Sequence, residues 1–138
     1  MWYECAVPEA TAGDNPVIFH TVVKNLADVV YERGEYTMAE ECYTSADQLA
    51  GALCDPEAKA RALEGQGLSR EQQGSLPEAA ESWEGAASLC RAMGDMEPLL
   101  RPNLEHLSRV YGQLDEEQKL GAVRDELATL GDEQEGTA

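Results

Sequence analysis

Gly34-Glu35-Tyr36-Thr37-Met38-Ala39-Glu40-Glu41-Cys42-Tyr43-Thr44-Ser45-Ala46 and Gly74-Ser75-Leu76-Pro77-Glu78-Ala79-Ala80-Glu81-Ser82-Trp83-Glu84-Gly85-Ala86 lie forty positions apart without a gap. Glycine, a bulky residue, alanine, an aromatic and alanine coincide, and Leu49 and Leu89 extend the match. The shared alanines and aromatics step by three and four, so they share one helix face. A fixed period of this length is the signature of a stacked repeat, in which each unit buries its apolar face only against its neighbours.

The stripe continues on both sides of the quoted segments. Phe19, Val22, Val23, Leu26, Ala27 and Val30 make one apolar face, and Leu100, Leu104, Leu107, Tyr111 and Leu114 make another. Leu120, Val123, Leu127 and Leu130 make a third. Asn15-Pro16 and Asp55-Pro56 each place a capping side chain before a proline at the first helical position, and Ser75-Leu76-Pro77-Glu78 has capping-box spacing. The pattern predicts helices over 16–33, 36–53, 56–73, 76–93, 97–113 and 116–130. These pair as antiparallel hairpins, giving an all-α, right-handed superhelical array of about three units, 16–55, 56–95 and 96–130. Residues 1–12 read as a leader or the remnant of a preceding helix, since Tyr3 and Ala6 precede Tyr43 and Ala46 by the same forty positions. Residues 131–138 read as a disordered acidic tail.

The small–aromatic–small pattern resembles a tetratricopeptide repeat. The first unit, with Gly13-Asp14-Asn15-Pro16, Asn25-Leu26-Ala27, Gly34-Glu35-Tyr36 and Ala39-Glu40, resembles the longer repeat of kinesin-light-chain-type proteins. The resemblance implies that Ala27, Ala39, Tyr43 and Ala46 pack the first hairpin, and Gly67, Ala79, Trp83 and Ala86 the second. The third unit is shifted by one residue. Leu120 and Leu127 stand there at the small positions and Arg124 at the aromatic one, which suits a terminal cap with a wet outer face. Gly65 has no role visible in the sequence and costs its helix about 1 kcal/mol relative to alanine.

Composition narrows the function. The 138 residues carry 27 acidic against 10 basic side chains, a formal net charge of −17. Such a surface repels phosphate backbones and anionic headgroups, so neither nucleic acid nor a membrane surface is expected as partner. No apolar run is long enough to span a bilayer, and no secretory leader is visible. Cys5, Cys42, Cys54 and Cys90 lack paired metal-ligand spacing and read as reduced thiols, hence a cytoplasmic location. His20 and His106 are the only histidines, and no nucleophile elbow, zinc-helix motif or phosphate-binding glycine loop is present. The expectation is a protein that is not an enzyme and uses no cofactor or metal.

In the family it resembles, the first helix of each pair lines a concave binding face. That carry-over assigns Thr21, Lys24, Asp28, Tyr31 and Glu32 from the first unit. Arg61, Glu64, Leu68, Glu71 and Gln72 come from the second, and Glu105, Arg109 and Gln113 from the third. The implied function is a protein–protein interaction module or scaffold, with a peptide or protein held in this groove. The alternative is a self-associating assembly protein that uses the ends of the array, a homo-oligomer. The carboxylate clamp of chaperone-tail binders is not supported: Lys24 matches it, but Asp28, Gly65, Pro102 and His106 do not.

Overall fold

In the computed structural model the described residues are 16–94 and 96–136, with side chains described for 17–94 and 96–130. The leader 1–12 and the Asn15 cap lie outside them. Six helices follow one another: α1 (Pro16–Glu32), α2 (Tyr36–Ala52), α3 (Pro56–Gln72), α4 (Leu76–Ala92), α5 (Glu97–Gln113) and α6 (Glu117–Gly136). Successive helices pack on one another, and α1, α3 and α5 also touch in order, so the first helices lie side by side. This is the all-α helical repeat array expected.

The joints between helices share one construction. A left-handed residue follows each of the first five helices at Gly34, Cys54, Gly74, Gly94 and Asp115, with φ of 83, 54, 83, 91 and 58°. Two bonds close the ends of α1, α2, α3 and α5. Gly34 N donates to Tyr31 O and Glu35 N to Val30 O, and the same pair recurs as Cys54 to Gly51 with Asp55 to Ala50. It recurs again as Gly74 to Glu71 with Ser75 to Arg70, and as Asp115 to Gly112 with Glu116 to Tyr111. These are Schellman caps, which satisfy carbonyls the helix would otherwise leave open. The left-handed residues step by 20 as far as Gly94 and then by 21 to Asp115. One additional position, between Gly94 and the Met96 cap, therefore accounts for the shift of the third unit.

Two local expectations are corrected. Asp55 does cap α3, its Oδ1 accepting from Ala58 N at 3.1 Å, but Ser75 makes no side-chain cap bond to α4. A capping box needs the Ser75 N–H for the Glu78 carboxylate. That N–H is already donated to Arg70 O at 2.9 Å, and Pro77 has no N–H to give back. The segment read as a disordered tail begins as helix, since α6 runs on to Gly136. Glu133, Gln134 and Glu135 are good helix formers, while Gly131 and Asp132 are not.

All eight residues assigned to repeat packing are buried. Ala27, Ala39, Ala46, Ala79, Trp83 and Ala86 have no exposed area, Tyr43 retains 6 %, and Gly67 is buried as well. α2 and α4 present alanine at most of their buried positions, and so the backbones approach closely. α3 sits between α2 and α4 and touches α1 and α5, and it buries Ala60, Ala62, Gly65, Gln66, Gly67 and Ser69 on several sides. Gln66 stays satisfied in this setting: its amide donates to Thr44 Oγ1 at 2.8 Å and its oxygen accepts from Ser82 Oγ at 2.7 Å. A larger core follows over α4, α5 and α6, built on Trp83, Leu104, Leu107, Val110 and Tyr111.

The two ends of the array differ. Arg124, at the position the aromatic holds in the earlier units, is exposed, as are Lys119, Asp125 and Thr129 around it on α6. On α1, by contrast, Phe19, Val22, Leu26 and Val29 are each about half exposed, at 52, 56, 49 and 51 %. Thiol chemistry also departs from the sequence expectation. Cys42 and Cys90 are free, with burial pushing both thiols above their ordinary value, whereas Cys54 is disulfide-bonded. The argument from reduced thiols to a reducing compartment is thereby removed.

Candidate partner-binding groove

The face made by α1, α3 and α5 collects most of the residues assigned to it. Lys24 and Asp28 from α1 and Arg61, Glu64 and Leu68 from α3 surround one cavity of about 200 Å³, whose lining is completed by Tyr43 and Gly65. Helical spacing explains the convergence. Lys24 and Asp28 are one turn apart, as are Arg61, Glu64 or Gly65, and Leu68, and the two helices lie side by side.

Tyr43 and Gly65 were not assigned to the groove from sequence. Tyr43 comes from α2, and its ring passes between the first helices because Gly65 has no side chain there. A Cβ at Gly65 would fall within the ring of Tyr43. The phenol emerges on the groove side and donates to Asp28 Oδ1. Burial first, and then that bond beside the Asp28 charge, raise the Tyr43 phenol far above its ordinary value. Trp83 repeats the arrangement one unit later. A Cβ at Gly67 would stand 2.5 Å from Trp83 Nε1, and that Nε1 donates to Glu64 O at 3.2 Å.

The groove charges are largely paired within the chain. Lys24 Nζ stands 3.1 Å from Asp28 Oδ2, and Arg61 Nη2 stands 2.9 Å from Glu57 Oε2. Arg109 grips Glu71 with two parallel bonds of 2.8 Å, a bidentate geometry that crosses from α5 to α3. His106 stacks on Trp83 with ring centroids 4.7 Å apart. Its Nε2 lies 3.0 Å from Glu64 Oε2, and Arg109 Nη2 lies 3.3 Å from its Nδ1. The His106 ring thus bridges the Glu64 carboxylate of α3 and the Arg109 guanidinium of α5.

Tyr31 belongs to a second cluster beside the first. Its ring meets Tyr36 edge-on at 5.2 Å. Burial raises its phenol, a hydrogen bond with Gln72 acts the other way, and the charges of Glu71 and Arg109 reach it as well. Glu105 is exposed on α5 and takes part in neither cluster. Among the described residues no group of three or more His, Cys, Asp or Glu side chains could hold a metal ion, and no helix is long and apolar enough to cross a membrane.

No protein-family model matches the sequence, and no curated protein matches it. A solved structure does: the crystal structure of the TPR (tetratricopeptide repeat) domain of Arabidopsis FLU. It aligns over 86% of this chain and 98% of that one, at 19% sequence identity and a TM-score of 0.76. At this identity the likeness concerns architecture. The chain folds as a tetratricopeptide-repeat-like array.

Proposed function

We propose that this protein is a non-catalytic interaction module that holds a peptide or protein segment in the groove of α1, α3 and α5. The observation that carries the reading is the cavity between α1 and α3. Five of the thirteen groove residues named from sequence surround it, and its walls mix Leu68 and the Tyr43 ring with charged groups. Such a surface orients a partner by polar contacts and retains it by apolar burial. The carboxylate-rich exterior disfavours nucleic acid and anionic membranes as partners.

A photo-crosslinker placed at Leu68 tests this in lysate of the source organism, with a crosslinker at exposed Glu81 on α4 as the comparison. Partners captured from Leu68, in an amount that the Lys24→Glu/Arg109→Glu double variant changes in either direction, support the groove. Capture that is equal from Glu81, or unchanged in the double variant, refutes it.

Self-association is the second reading, and the half-exposed Phe19, Val22, Leu26 and Val29 face of α1 favours it. Light scattering over a wide concentration range, with Phe19→Lys for comparison, decides the matter. A mass that stays monomeric at high concentration removes this reading.

A further inference from the structure

We propose that the cavity between α1 and α3 receives an arginine or lysine side chain of the partner, with Glu64 as the receiving carboxylate. The inference rests on the groove reading above and adds the chemistry of what the groove recognises.

The case turns on which charges around the cavity are already answered. Lys24 is neutralised by Asp28 and Arg61 by Glu57. The bidentate bonds of Arg109 go to Glu71. Glu64 is different. Its one side-chain partner among the described residues is the His106 ring, which meets Oε2 at 3.0 Å. Glu64 is therefore a carboxylate of the cavity wall with no lysine or arginine partner among the described residues. Its Oε1 takes no hydrogen bond from a described residue.

The remaining walls suit the stem of a long cationic side chain. Leu68 and the ring of Tyr43, which packs over Gly65, supply apolar and aromatic surface. Arginine and lysine bury their methylenes on such surface while keeping the charged head on a polar group, and an aromatic face adds attraction for a cation. Lys24 and Arg61, the cations of the cavity wall, are each held by an i,i+4 pair to another carboxylate than Glu64. An acidic partner finds no such opening: each groove cation is already committed to a carboxylate. With 27 acidic against 10 basic side chains, the long-range field also steers cations inward.

Fluorescence anisotropy with three labelled peptides of equal length provides the test. One alternates arginine with leucine and alanine, one replaces arginine by glutamate, and one replaces it by glutamine. The arginine peptide is expected to bind, with Glu64→Gln weakening it roughly tenfold or more and Lys24→Gln leaving it as tight or tighter. Glutamine can still accept from His106, so the fold is retained, and circular dichroism checks that.

Preference for the glutamate peptide, or weakening by Lys24→Gln, overturns the proposal. So does an equal loss from Asp125→Asn/Glu117→Gln on α6, which would mean diffuse attraction to an acidic surface. If lysate partners still crosslink from Leu68 while the arginine peptide fails, the groove stands and the cationic-side-chain inference alone falls.

Discussion

The ring of Tyr43 on α2 occupies the space that a Cβ on Gly65 of α3 would need. A helix-breaking glycine in the middle of α3 is thus the counterpart of an aromatic 22 positions earlier, and Gly67 stands in the same relation to Trp83.

Gly65→Ala is expected to destabilise the fold although alanine is the better helix former. The propensity gain is about 1 kcal/mol, while forcing a methyl into a packed ring costs roughly 1–3 kcal/mol, so a net loss of about 1 kcal/mol or more follows. Gly121→Ala on α6 provides the opposite case. Nothing lies within 4 Å of a Cβ there, and stability should rise by up to about 1 kcal/mol. Urea denaturation of the two variants beside the parent checks both signs.

Trp83 is fully buried between α3 and α5. Trp83→Ala is expected to cost roughly 3–5 kcal/mol, enough to leave the chain largely unfolded or molten at room temperature. Trp83→Phe should keep the fold with a smaller loss, because a phenyl ring still fills most of the site while the bond from Nε1 to Glu64 O and part of the ring volume disappear. Far-UV circular dichroism with thermal melts separates the two outcomes.

Acid stability should depend on Glu40. Burial alone would raise its carboxyl, but Arg70 Nε at 2.9 Å and Gln73 Nε2 at 2.8 Å outweigh that and hold it below its ordinary value. A depressed carboxyl contributes stability above the unfolded-state pKa and loses it as pH falls through the lowered folded value. Arg70→Met should therefore lower the melting temperature at neutral pH by a few degrees, and the gap to the parent should narrow toward low pH. A gap that stays constant across that window counts against the assignment.

The alkaline limb reports on Tyr43. Its raised phenol means the contribution is complete below the ordinary tyrosine value and declines as pH climbs beyond it, since the folded state resists ionisation. Tyr43→Phe should shift the alkaline loss of stability to higher pH, leaving a residual part from Tyr31, which is also raised by burial. Melting temperatures collected from neutral to strongly alkaline buffer give the comparison.

The period, the helix lengths and the packing alanines were legible because they are local. Ala39, Tyr43 and Ala46 announce a helix face by spacing alone, and Trp83 repeats it. Gly65 was not legible, because its reason for being glycine lies on another helix. Ser75 was misread for a related cause: its N–H closes the preceding helix at Arg70 O, and no count from Ser75 forward reveals that. In the groove, Lys24, Asp28, Arg61, Glu64 and Leu68 were grouped by the family resemblance, which says which helix of each pair faces inward. Tyr43 carried only a packing signal, and its second role at Asp28 depends on where its hydroxyl emerges. Glu105 was assigned by the same resemblance, but the charge pairs of α5 formed at His106 and Arg109 instead.

The single extra position between Gly94 and Met96 has a bearing on how this chain can change length. Inside a helix, one added residue would turn every later side chain by about 100° and carry apolar groups into water. At this joint it leaves α5 packed on α4 and Trp83 stacked on His106. Register in this molecule is kept by its corners, each of which restarts the helix count. Growth or deletion by single residues is tolerable at such corners, and affinity tags or probes belong there rather than in the helices.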